Sequence, residues 1–421
     1  MVNVSDGPHV ETRSVWIINH HTTLPSKDGR MGRHLGIAQY LESCGWKATL
    51  FVASTTHPSG SQRLKGPRLF RRGIERGVAT VWIKVPAYGQ SLVRRLLSMV
   101  LFASMLIWLP LGRGVRRPDV VVGSTVHPFA AWAAMMLARR KRVPFVYEIR
   151  DIWPETLVDL GTLNKDSRIS KLLSALSMQL CRQAASVISP LPGVRQYLDE
   201  NGFSEKPFYW IPNGVDDSFV GATVDEDEAS GSFTFMYLGA QGRANALEGV
   251  ISAFAEARGH SRLSNSRLVL VGDGPMQAQL RGVASSSGCA EAIEFRHRIP
   301  RSEVQDTARR ADCLVANMYD NSVYRYGISL NKLYDYMLAG RPIIFASSAL
   351  NDPVQEAGCG VSVSANDVHG IAKAMVEIAC MSPQGRKDLG VKGYDFVLKN
   401  NTYSSLAVKF SRVLNLVAGI H

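Results

Sequence analysis

The feature that most constrains this chain is a series of short apolar segments that alternates with helical patterns and runs through the sequence twice. In the first half these segments, rich in Val and Ile, are 15–18, 48–53, 119–123, 145–149 and 186–189. In the second half they are 233–238, 267–271, 293–295, 313–316 and 343–346. Strands and helices that alternate at this spacing predict parallel sheets covered by helices.

The length of 421 residues is too great for one typical hydrophobic core. We therefore predict an α/β protein with two doubly wound domains. The segment PNGVD at 212–216 has the composition of a turn and separates the two series. We place the domain boundary there, with a first domain over residues 1–212 and a second over 213–402.

The positive charge of the chain is concentrated in its first half. Residues 1–213 contain 28 Lys and Arg against 14 Asp and Glu, a net charge of +14, whereas residues 214–421 carry a net charge of −2. A polyanionic partner or an anionic membrane surface would account for this asymmetry. A hydrophobic fraction of 46% without a low-complexity tail indicates a globular protein.

The cysteines and the N-terminal residues indicate the cellular compartment of the protein. None of the six cysteines has C-x-x-C spacing and no histidines cluster beside them, which predicts reduced, structural thiols in a cytosolic protein. The polar start MVNVSDGPHVETRS predicts the absence of a signal peptide. The charged segment VDEDEAS at 224–230 predicts a solvated loop.

Ligands of parallel sheets bind beyond the C-terminal ends of the strands, so the loops after the strands are candidate sites. Glycines in such loops permit close approach of a ligand to the backbone, and cations favour phosphates. The candidate residues in these loops of the second half are Gly239, Gly242, Arg243, Asn245, Asp273, Gly274 and Arg298. Each alone fits an ordinary turn, but their convergence on one rim favours a binding site.

The stretch YGISLNKLYDYMLAGRPIIF at 326–345 predicts a helix that begins with polar residues and ends before a strand. A helix N-terminus exposes unpaired N–H groups and is a natural anion site. Lys332 and Arg325 are candidates to neutralise a diphosphate, and Asp335 to accept two ribose hydroxyls. The alternatives are that the helix caps itself and that Asp335 only complements the helix dipole.

Two segments of the first half have comparable features. Loop 26–34 places glycines and cations at a predicted helix start, and we select Gly29, Arg30, Gly32, Arg33 and His34 as a phosphate or acceptor loop. After strand 145–149, the residues Arg150, Asp151 and Glu155 surround a Trp-Pro pair, which suits an active site. A salt-bridged turn with the tryptophan in the core is the alternative.

Several of these pieces together resemble the GT-B glycosyltransferases of family 4, specifically bacterial enzymes that build O-antigen, capsular and other exopolysaccharides. The pieces are NHHTTLPSKDGRMGRHLGIAQYLESCGWKATLFVAS, PDVVVGSTVHPFAAWAAMMLARRKRVPFVYEIRDIWPETLVDLG, IPNGVD, VGDGP and SLNKLYDYMLAGRPII. They follow the family order and cover nearly the whole chain. The resemblance implies two Rossmann-like domains with a nucleotide-sugar in the cleft between them, and a C-terminal helix, residues 403–421, that crosses back to the first domain.

The resemblance also implies roles for single residues. The N–H groups of Ile328, Ser329, Leu330 and Asn331 would hold the donor diphosphate, Asp335 would bind the ribose, and Arg298 would lie in the loop that meets the base. Transfer would retain the configuration of the sugar, with no cofactor and no metal, and Asp151 would orient the acceptor hydroxyl. The nucleotide-sugar is expected to be a UDP-sugar.

The sequence departs from the family pattern at three places. Gly327 stands where a Glu-x7-Glu motif has its first acid. This difference leaves the identity of the transferred sugar undetermined and suggests a deoxy or N-acetylated amino sugar. Ala240 and Asn245 stand where the family has a phosphate-binding Arg and Lys, so Arg243, Lys332 or Arg325 would replace them. Arg150 stands where many members have His, in a form typical of the polysaccharide subgroup.

An uncharged run at 96–112, LLSMVLFASMLIWLPLG, has arginines on both sides. It is shorter than the roughly 20 apolar residues of a membrane-spanning helix. The helix predicted over 91–111 is either an ordinary packing helix or one that rests on anionic lipid, which the basic stretch QRLKGPRLFRR at 62–72 favours. We expect peripheral attachment to the cytoplasmic face of the plasma membrane, where the resemblance implies a polyprenyl-diphosphate-linked acceptor.

Three other functions are compatible with parts of this pattern. A nucleic-acid binder would interleave aromatic residues with the cations, but segment 62–72 contains one Phe, so we predict no nucleic-acid partner. A GT-B-like sugar-nucleotide epimerase would use the same nucleotide site without an acceptor. A donor-binding but inactive partner subunit is the third possibility, because Gly327 replaces an acid.

Overall fold

The computed structural model describes residues 12–57, 59–89, 91–125, 127–159, 163–221 and 231–420, without the side chain of Val323. The polar start and the charged segment 224–230, both subjects of predictions above, lie outside these residues, except for residues 12–14 of the start. The chain divides into two compact units. The N-terminal unit runs up to Pro212 and resumes at Tyr403, and the C-terminal unit is Asn213–Thr402.

The N-terminal unit is built on an eight-stranded sheet. Its strands are β1 (Arg13–Asn19), β2 (Trp46–Ala53), β3 (Phe70–Glu75), β4 (Val78–Ile83), β5 (Val120–Ser124), β6 (Phe145–Glu148), β7 (Ser186–Ser189) and β8 (Phe208–Trp210). The spatial order is β3-β4-β2-β1-β5-β6-β7-β8, and only β3 is antiparallel to its neighbour. The inner strands are buried on both faces, as their continuous Val and Ile runs predict.

Helices cover both faces of this sheet. They are α1 (Pro25–Asp28), α2 (Arg33–Tyr40), α3 (Leu92–Trp108), α4 (Pro128–Lys141), α5 (Glu155–Asp159), α6 (Arg168–Gln183), α7 (Val194–Glu200) and the C-terminal α15 (Tyr403–Val417). Helices α2 and α15 share a core with Val15 and Ile17 on one face. Trp16 points to the opposite face from Val15 and Ile17, because alternate residues of a strand point to opposite faces. On that face it lines a cavity together with residues of α3 and α4.

The C-terminal unit is a six-stranded parallel sheet. Its strands are β9 (Thr234–Leu238), β10 (Arg267–Val271), β11 (Ile293–Arg296), β12 (Cys313–Asn317), β13 (Ile343–Ala346) and β14 (Gly360–Val363), in the order β11-β10-β9-β12-β13-β14. The helices are α8 (Leu247–Ala257), α9 (Gln277–Ser286), α10 (Val304–Arg309), α11 (Asn331–Leu338), α12 (Pro353–Ala357), α13 (Val368–Cys380) and α14 (Pro383–Asn400). Two cores, one against α8 and α13 and one against α11, cover the two faces.

The predicted fold class, two doubly wound α/β units, is confirmed by this architecture. Sequence analysis missed β3, β4, β8 and β14. Strand β3 has the sequence FRRGIE and is exposed over most of its length at the edge of the sheet, so it has no apolar pattern to reveal it. Strand β14 is only four residues long and partly exposed.

The helix predicted over 91–111 is α3, which begins at Leu92 and ends at Trp108. With 17 residues, it is the apolar helix that we compared with a membrane span above. Among the described residues, no helix combines the length and the apolar character that crossing a bilayer requires.

Candidate functional site

The loops after β9 and β10 pack against each other through their backbones. The side chain of Gln241 is buried and donates from Nε2 to the carbonyl of Gly272 at 2.9 Å. A Cβ on Gly274 would lie 2.2 Å from the carbonyl oxygen of Gln241, so this position requires glycine for packing. A Cβ on Gly242 would meet no atom within 4 Å. Protein packing therefore explains Gly274, whereas it leaves the backbone at Gly242 open.

Helix α11 begins without a side-chain cap. Its N-cap residue is Leu330, and no side chain accepts a hydrogen bond from the first turn. Among the described residues, the backbone N–H groups of Ser329, Leu330, Asn331 and Lys332 have no acceptor. Four successive N–H groups thus point out of a helix end, where the helix dipole favours an anion. The helix does not cap itself, which was the alternative in the sequence analysis.

Two asparagines fix the segment that leads into α11. The N–H of Ile328 donates to Oδ1 of Asn351 at 2.8 Å, and Nδ2 of Asn351 donates to the Ile328 carbonyl at 3.1 Å. On the other side, the N–H and Nδ2 of Asn213 each donate to Ser329 at 2.7 Å. The Ile328 N–H, one of the four predicted phosphate donors, is therefore already used within the protein, while the N–H of Lys332 is unused.

Lys332 lies beside the loop that follows β9. Its Nζ donates to the hydroxyl of Tyr237 at 3.1 Å and to Oδ1 of Asn245. Burial lowers the pKa of Lys332 to about 7, because the loss of water disfavours the charged ammonium. Asn245 in turn donates to the Ala240 carbonyl at 2.9 Å. The structure thus brings a lysine ammonium to the position where the resemblance predicts a missing cation.

Arg243 and Arg325 point to other surroundings. The Arg243 guanidinium lies 5.6 Å from the ring centre of Tyr319, and both side chains line a surface cavity of about 510 Å³ near the start of α8. The Arg325 guanidinium lies 4.6 Å from the ring centre of Tyr326. Of the three cations predicted to help at the diphosphate, Lys332 is therefore the one that contacts Asn245.

Asp335 forms an ion pair that the sequence did not reveal. Both of its carboxylate oxygens accept from Arg301, at 2.8 and 2.5 Å, and the Arg301 guanidinium lies 5.0 Å from the ring centre of Phe219. Burial raises the pKa of Asp335, and Arg301 opposes this effect. Arg301 precedes Asp335 by 34 residues in a different element, so no spacing rule could have found the pair.

The loops after β10 and β11 meet through a weaker contact. Nδ1 of His297 lies 3.3 Å from the Asp273 carboxylate, and both side chains are exposed. Arg298 is exposed as well, with no hydrogen bond or ion pair among the described residues. Asp273 and Arg298, both predicted near the donor, therefore lie on loops that follow neighbouring strands.

Loop 26–34 of the N-terminal unit has a different structure. Arg33 and His34 are buried in the first turn of α2, where both contact the fully buried Glu148, Arg33 at 3.0 Å and His34 at 2.5 Å. Arg33 also donates to the carbonyls of Ile211 and Pro212. These hydrogen bonds occupy the Arg33 guanidinium and one ring nitrogen of His34, two of the groups that the predicted phosphate loop would offer to a ligand.

Electrostatics explain why Glu148 is ionised in the core. Burial alone would raise the pKa of this carboxyl, but His34 and Arg33 hold it well below the ordinary range. The remainder of the loop is more open. Gly29 and Arg30 are exposed, whereas a Cβ on Gly32 would lie 2.6 Å from the carbonyl oxygen of Thr23.

The segment after β6 holds the predicted acids. The backbone N–H of Arg150 donates to Oγ1 of Thr125 at 2.8 Å, which fixes the turn. The Asp151 carboxylate has no hydrogen-bond partner among the described residues, and burial raises its pKa. Glu155 begins α5 one turn later. An acid that is partly buried without a protein partner is suited to accept a hydrogen bond from a substrate.

Two family models match this chain. The Glycosyl transferase 4-like domain matches residues 31–214, and Glycosyl transferases group 1 matches residues 232–380. Together they cover most of the chain, one in each unit. The chain is a family 4 glycosyltransferase with the GT-B fold. The enzyme class predicted from the sequence, glycosyl transfer, is confirmed.

Individual relatives of this glycosyltransferase are distant. It is 23% identical to the probable glycosyltransferase WbjE of Pseudomonas aeruginosa over 304 residues, 69% of this chain and 74% of that protein. Sucrose-phosphate synthase of Thermosynechococcus elongatus superposes with a TM-score of 0.69 at 14% identity, covering 97% and 99% of the two chains. Anabaena HepE, solved with UDP and glucose, superposes with a TM-score of 0.62 at 13% identity, covering 96% and 99%.

Proposed function

We propose that this glycosyltransferase moves a sugar, with retention of configuration, from a UDP-sugar to a polyprenyl-diphosphate-linked acceptor in cell-surface polysaccharide synthesis. The observation that carries the donor half is the row of unpaired N–H groups from Ser329 to Lys332. A helix end of this kind is a favourable site for a phosphate, and Lys332 adds a positive charge when it is protonated. The UDP in the structure of HepE supports the choice of nucleotide.

The other donor contacts follow from the same helix and its neighbouring loops. The open backbone at Gly242 allows the donor to approach closely. Each oxygen of Asp335 has a second lone pair beside the one that Arg301 occupies, so the carboxylate can also accept from ribose hydroxyls. We assign the base to the loop that contains Arg298, and the ribose to Asp335 held by Arg301.

In this mechanism the sugar–phosphate bond breaks as the acceptor hydroxyl attacks on the same face. The N–H groups at α11 and the Lys332 ammonium stabilise the charge that develops on the departing diphosphate. Asp151 accepts a hydrogen bond from the acceptor hydroxyl and orients it. The proton of that hydroxyl passes to a diphosphate oxygen, so the products are the glycosylated acceptor and UDP.

The part of the proposal that concerns the acceptor is based on the surface of α3. One side of this helix carries an exposed apolar stripe, which consists of Leu92, Val93, Leu96, Leu97 and Val100. Exposed arginines flank it, with Arg94 on the helix and Arg113 beyond its end. Exposed aliphatic residues beside cations suit the interface of an anionic membrane. We therefore propose that the stripe attaches the protein to the cytoplasmic face of the plasma membrane.

The membrane proposal predicts binding to anionic liposomes at low salt. Replacing Leu96 with Glu puts a negative charge into the apolar stripe and should abolish co-sedimentation with these liposomes. The matched control is Leu350→Glu, which changes an equally exposed leucine of the C-terminal unit and should leave binding unchanged. Wild-type protein that ignores anionic liposomes would refute this part of the proposal.

The transfer itself is tested with labelled UDP-sugars in the presence and absence of a membrane-lipid extract. We expect label on lipid only when both substrates are present, and UDP rather than GDP should raise the melting temperature, because a ligand of the folded state stabilises it. A changed free nucleotide-sugar would indicate an epimerase. Binding of UDP without turnover would indicate an inactive partner subunit. The same assay with a chelator tests the expectation that no metal is needed.

A further inference from the structure

Four histidines lie together beyond the C-terminal ends of the strands of the N-terminal sheet. His20 and His21 follow β1, His57 follows β2, and His127 follows β5 as the N-cap of α4. The ring centre of His20 lies 4.5 Å from that of His21 and 4.9 Å from that of His127. The rings of His21 and His57 are stacked, with 4.3 Å between their centres. We call these four residues the histidine cluster.

Many polar atoms in and around the cluster have no partner. His20 and His127 are fully buried, yet among the described residues Nδ1 of His20 and Nε2 of His127 have no hydrogen-bond partner. The same holds for both ring nitrogens of His21 and for Nε of Arg95, which lies on α3 beside the cluster. Buried polar groups are nearly always hydrogen-bonded in folded proteins, so this concentration points to a polar ligand that supplies the missing bonds.

The geometry of the cluster does not suit a metal ion. The rings pack against one another, with His21 and His57 nearly parallel at an interplanar angle of 13°. Within the described ranges, no group of three or more His, Cys, Asp or Glu side chains could hold a metal ion. The cluster therefore offers hydrogen-bonding groups rather than convergent metal ligands.

The charged groups that act most strongly on the cluster are cations. Arg95 affects all four histidines, Arg63 affects His20, and Arg30 and Arg150 affect His57. Arg63 is neutralised by Asp28 at 2.5 Å, but Arg95 has no ion pair among the described residues. Tyr88 is a further titratable neighbour, and its hydroxyl lies 3.4 Å from Nδ1 of His57.

The histidines are neutral in this environment. Burial lowers the pKa of His20 to about 3 and also lowers the pKa of His21, His57 and His127. Neutral imidazoles donate one N–H each, and the Arg95 guanidinium donates in a fixed fork that matches phosphate oxygens. Donors and a free cation without a balancing anion are complementary to a phosphate group.

Helix α3 connects this environment to the proposed membrane surface. Ser98, which contacts Nε2 of His20 at 3.2 Å, and Arg95 lie towards the cluster, whereas Leu92, Val93 and Leu96 lie on the exposed side. An α-helix is only about 10 Å wide with its side chains. A ligand that has a diphosphate directly attached to a hydrocarbon chain fits this arrangement.

We propose that the histidine cluster and Arg95 bind the diphosphate of a prenyl-diphosphate-linked acceptor. This inference rests on the proposed function for the identity of the acceptor. Arg95 carries the charge recognition, and the imidazoles supply hydrogen bonds. Because the arriving negative charge favours protonated imidazole, binding at pH 6.5 should be accompanied by the uptake of protons.

The test is isothermal titration calorimetry of the full chain with inorganic pyrophosphate and farnesyl diphosphate. The protein is first saturated with UDP, so that the site at α11 is occupied. Titrations at pH 6.5 in two buffers of different ionisation enthalpy give the number of protons taken up. We expect both probes to bind with net proton uptake, and farnesyl diphosphate to bind at least tenfold more tightly because its chain reaches the apolar stripe.

Three variants identify the site. Arg95→Gln should weaken the binding of both probes by about ten- to a hundredfold, the usual effect of losing a charge-assisted hydrogen bond. Arg94→Gln removes the same charge from the neighbouring, exposed position and should leave pyrophosphate binding unchanged. His127→Asn keeps a side chain able to cap α4 and should reduce the proton uptake; circular dichroism and the melting temperature show whether it is folded.

The outcomes separate this inference from the proposed function. Failure of either probe to bind, equal binding by Arg95→Gln and wild type, or loss of pyrophosphate binding through competition by UDP would overturn the assignment. If UDP itself does not bind, the donor proposal fails, but the comparison of Arg95→Gln with Arg94→Gln still tests the diphosphate site in the absence of UDP.

Discussion

The starts of helices α2 and α11 have the same pattern in the sequence and opposite situations in the structure. Both follow glycine-containing loops and place cations in the first turn. At α2, Arg33 and His34 turn inwards to the buried Glu148. At α11, asparagines hold the preceding segment, and four N–H groups remain without an acceptor among the described residues. A buried carboxylate far away in the sequence decides whether the cations stabilise the fold or remain available for a ligand.

Removing that carboxylate should have the largest effect. Glu148→Gln leaves Arg33 buried without its counter-charge, and we expect the free energy of unfolding to fall by about 3–5 kcal/mol in urea denaturation. The control Glu42→Gln breaks the exposed pair with Lys47 and should change it by less than about 0.5 kcal/mol. A small effect of Glu148→Gln would show that Arg33 does not depend on this carboxylate and would remove the contrast between the two helix starts.

The pH dependence of stability provides a second test of the ion pair between Arg33 and Glu148. The folded-state pKa of Glu148 is lowered, so its contribution to stability is fully present above its unfolded pKa of about 4.3 and is lost only as the pH falls through the lower folded value. Acid unfolding of the wild type should therefore include a component below pH 4 that Glu148→Gln lacks.

The two glycines at these loops should respond differently to alanine. Gly32→Ala brings a Cβ to 2.6 Å from the Thr23 carbonyl oxygen, and we expect a loss of about 1–3 kcal/mol in the free energy of unfolding. Gly242→Ala meets no protein atom and should cost little stability, while it weakens UDP binding. Equal losses of stability in the two variants, measured by urea denaturation, would show that the loop after β9 is as tightly packed as the loop before α2.

Lys332→Met should weaken UDP binding about tenfold at pH 6.5, equivalent to about 1.4 kcal/mol. The folded-state pKa of this lysine is lowered to about 7, so the wild type should lose affinity as the pH rises from 6.5 to 8.5, because the ammonium loses its proton. The variant should show no such decline. Lys399→Met, an exposed position on α14, serves as the control, and equal pH profiles for Lys332→Met and wild type would exclude Lys332 from the diphosphate site.

As the pH rises, the stability of the free protein should change in the opposite direction to its affinity for UDP. Between pH 7 and 10.4 the unfolded chain holds a proton on Lys332 that the folded chain has released, so the stability of the free protein should rise with pH in this window. Lys332→Met should lack this rise. The two opposite trends, measured on one residue, distinguish a buried lysine from an exposed one.

The fold class could be predicted from the amino-acid sequence, because the alternation of apolar strands with helices is a local, periodic property that neighbouring residues express together. The sequence also located the loops that carry the candidate residues, because parallel strands bring their C-terminal ends to one edge. It missed strand β3, whose exposed residues FRRGIE show no apolar pattern.

The partners of the charged side chains, in contrast, became apparent only in the folded chain. Arg33 meets Glu148 across 115 residues, Arg301 meets Asp335 across 34, and the histidine cluster gathers three separate loops. Such pairings depend on distances in space that no sequence interval encodes. The free energy of a buried charge depends on these partners, and this is why one helix start closes on itself while the other stays open.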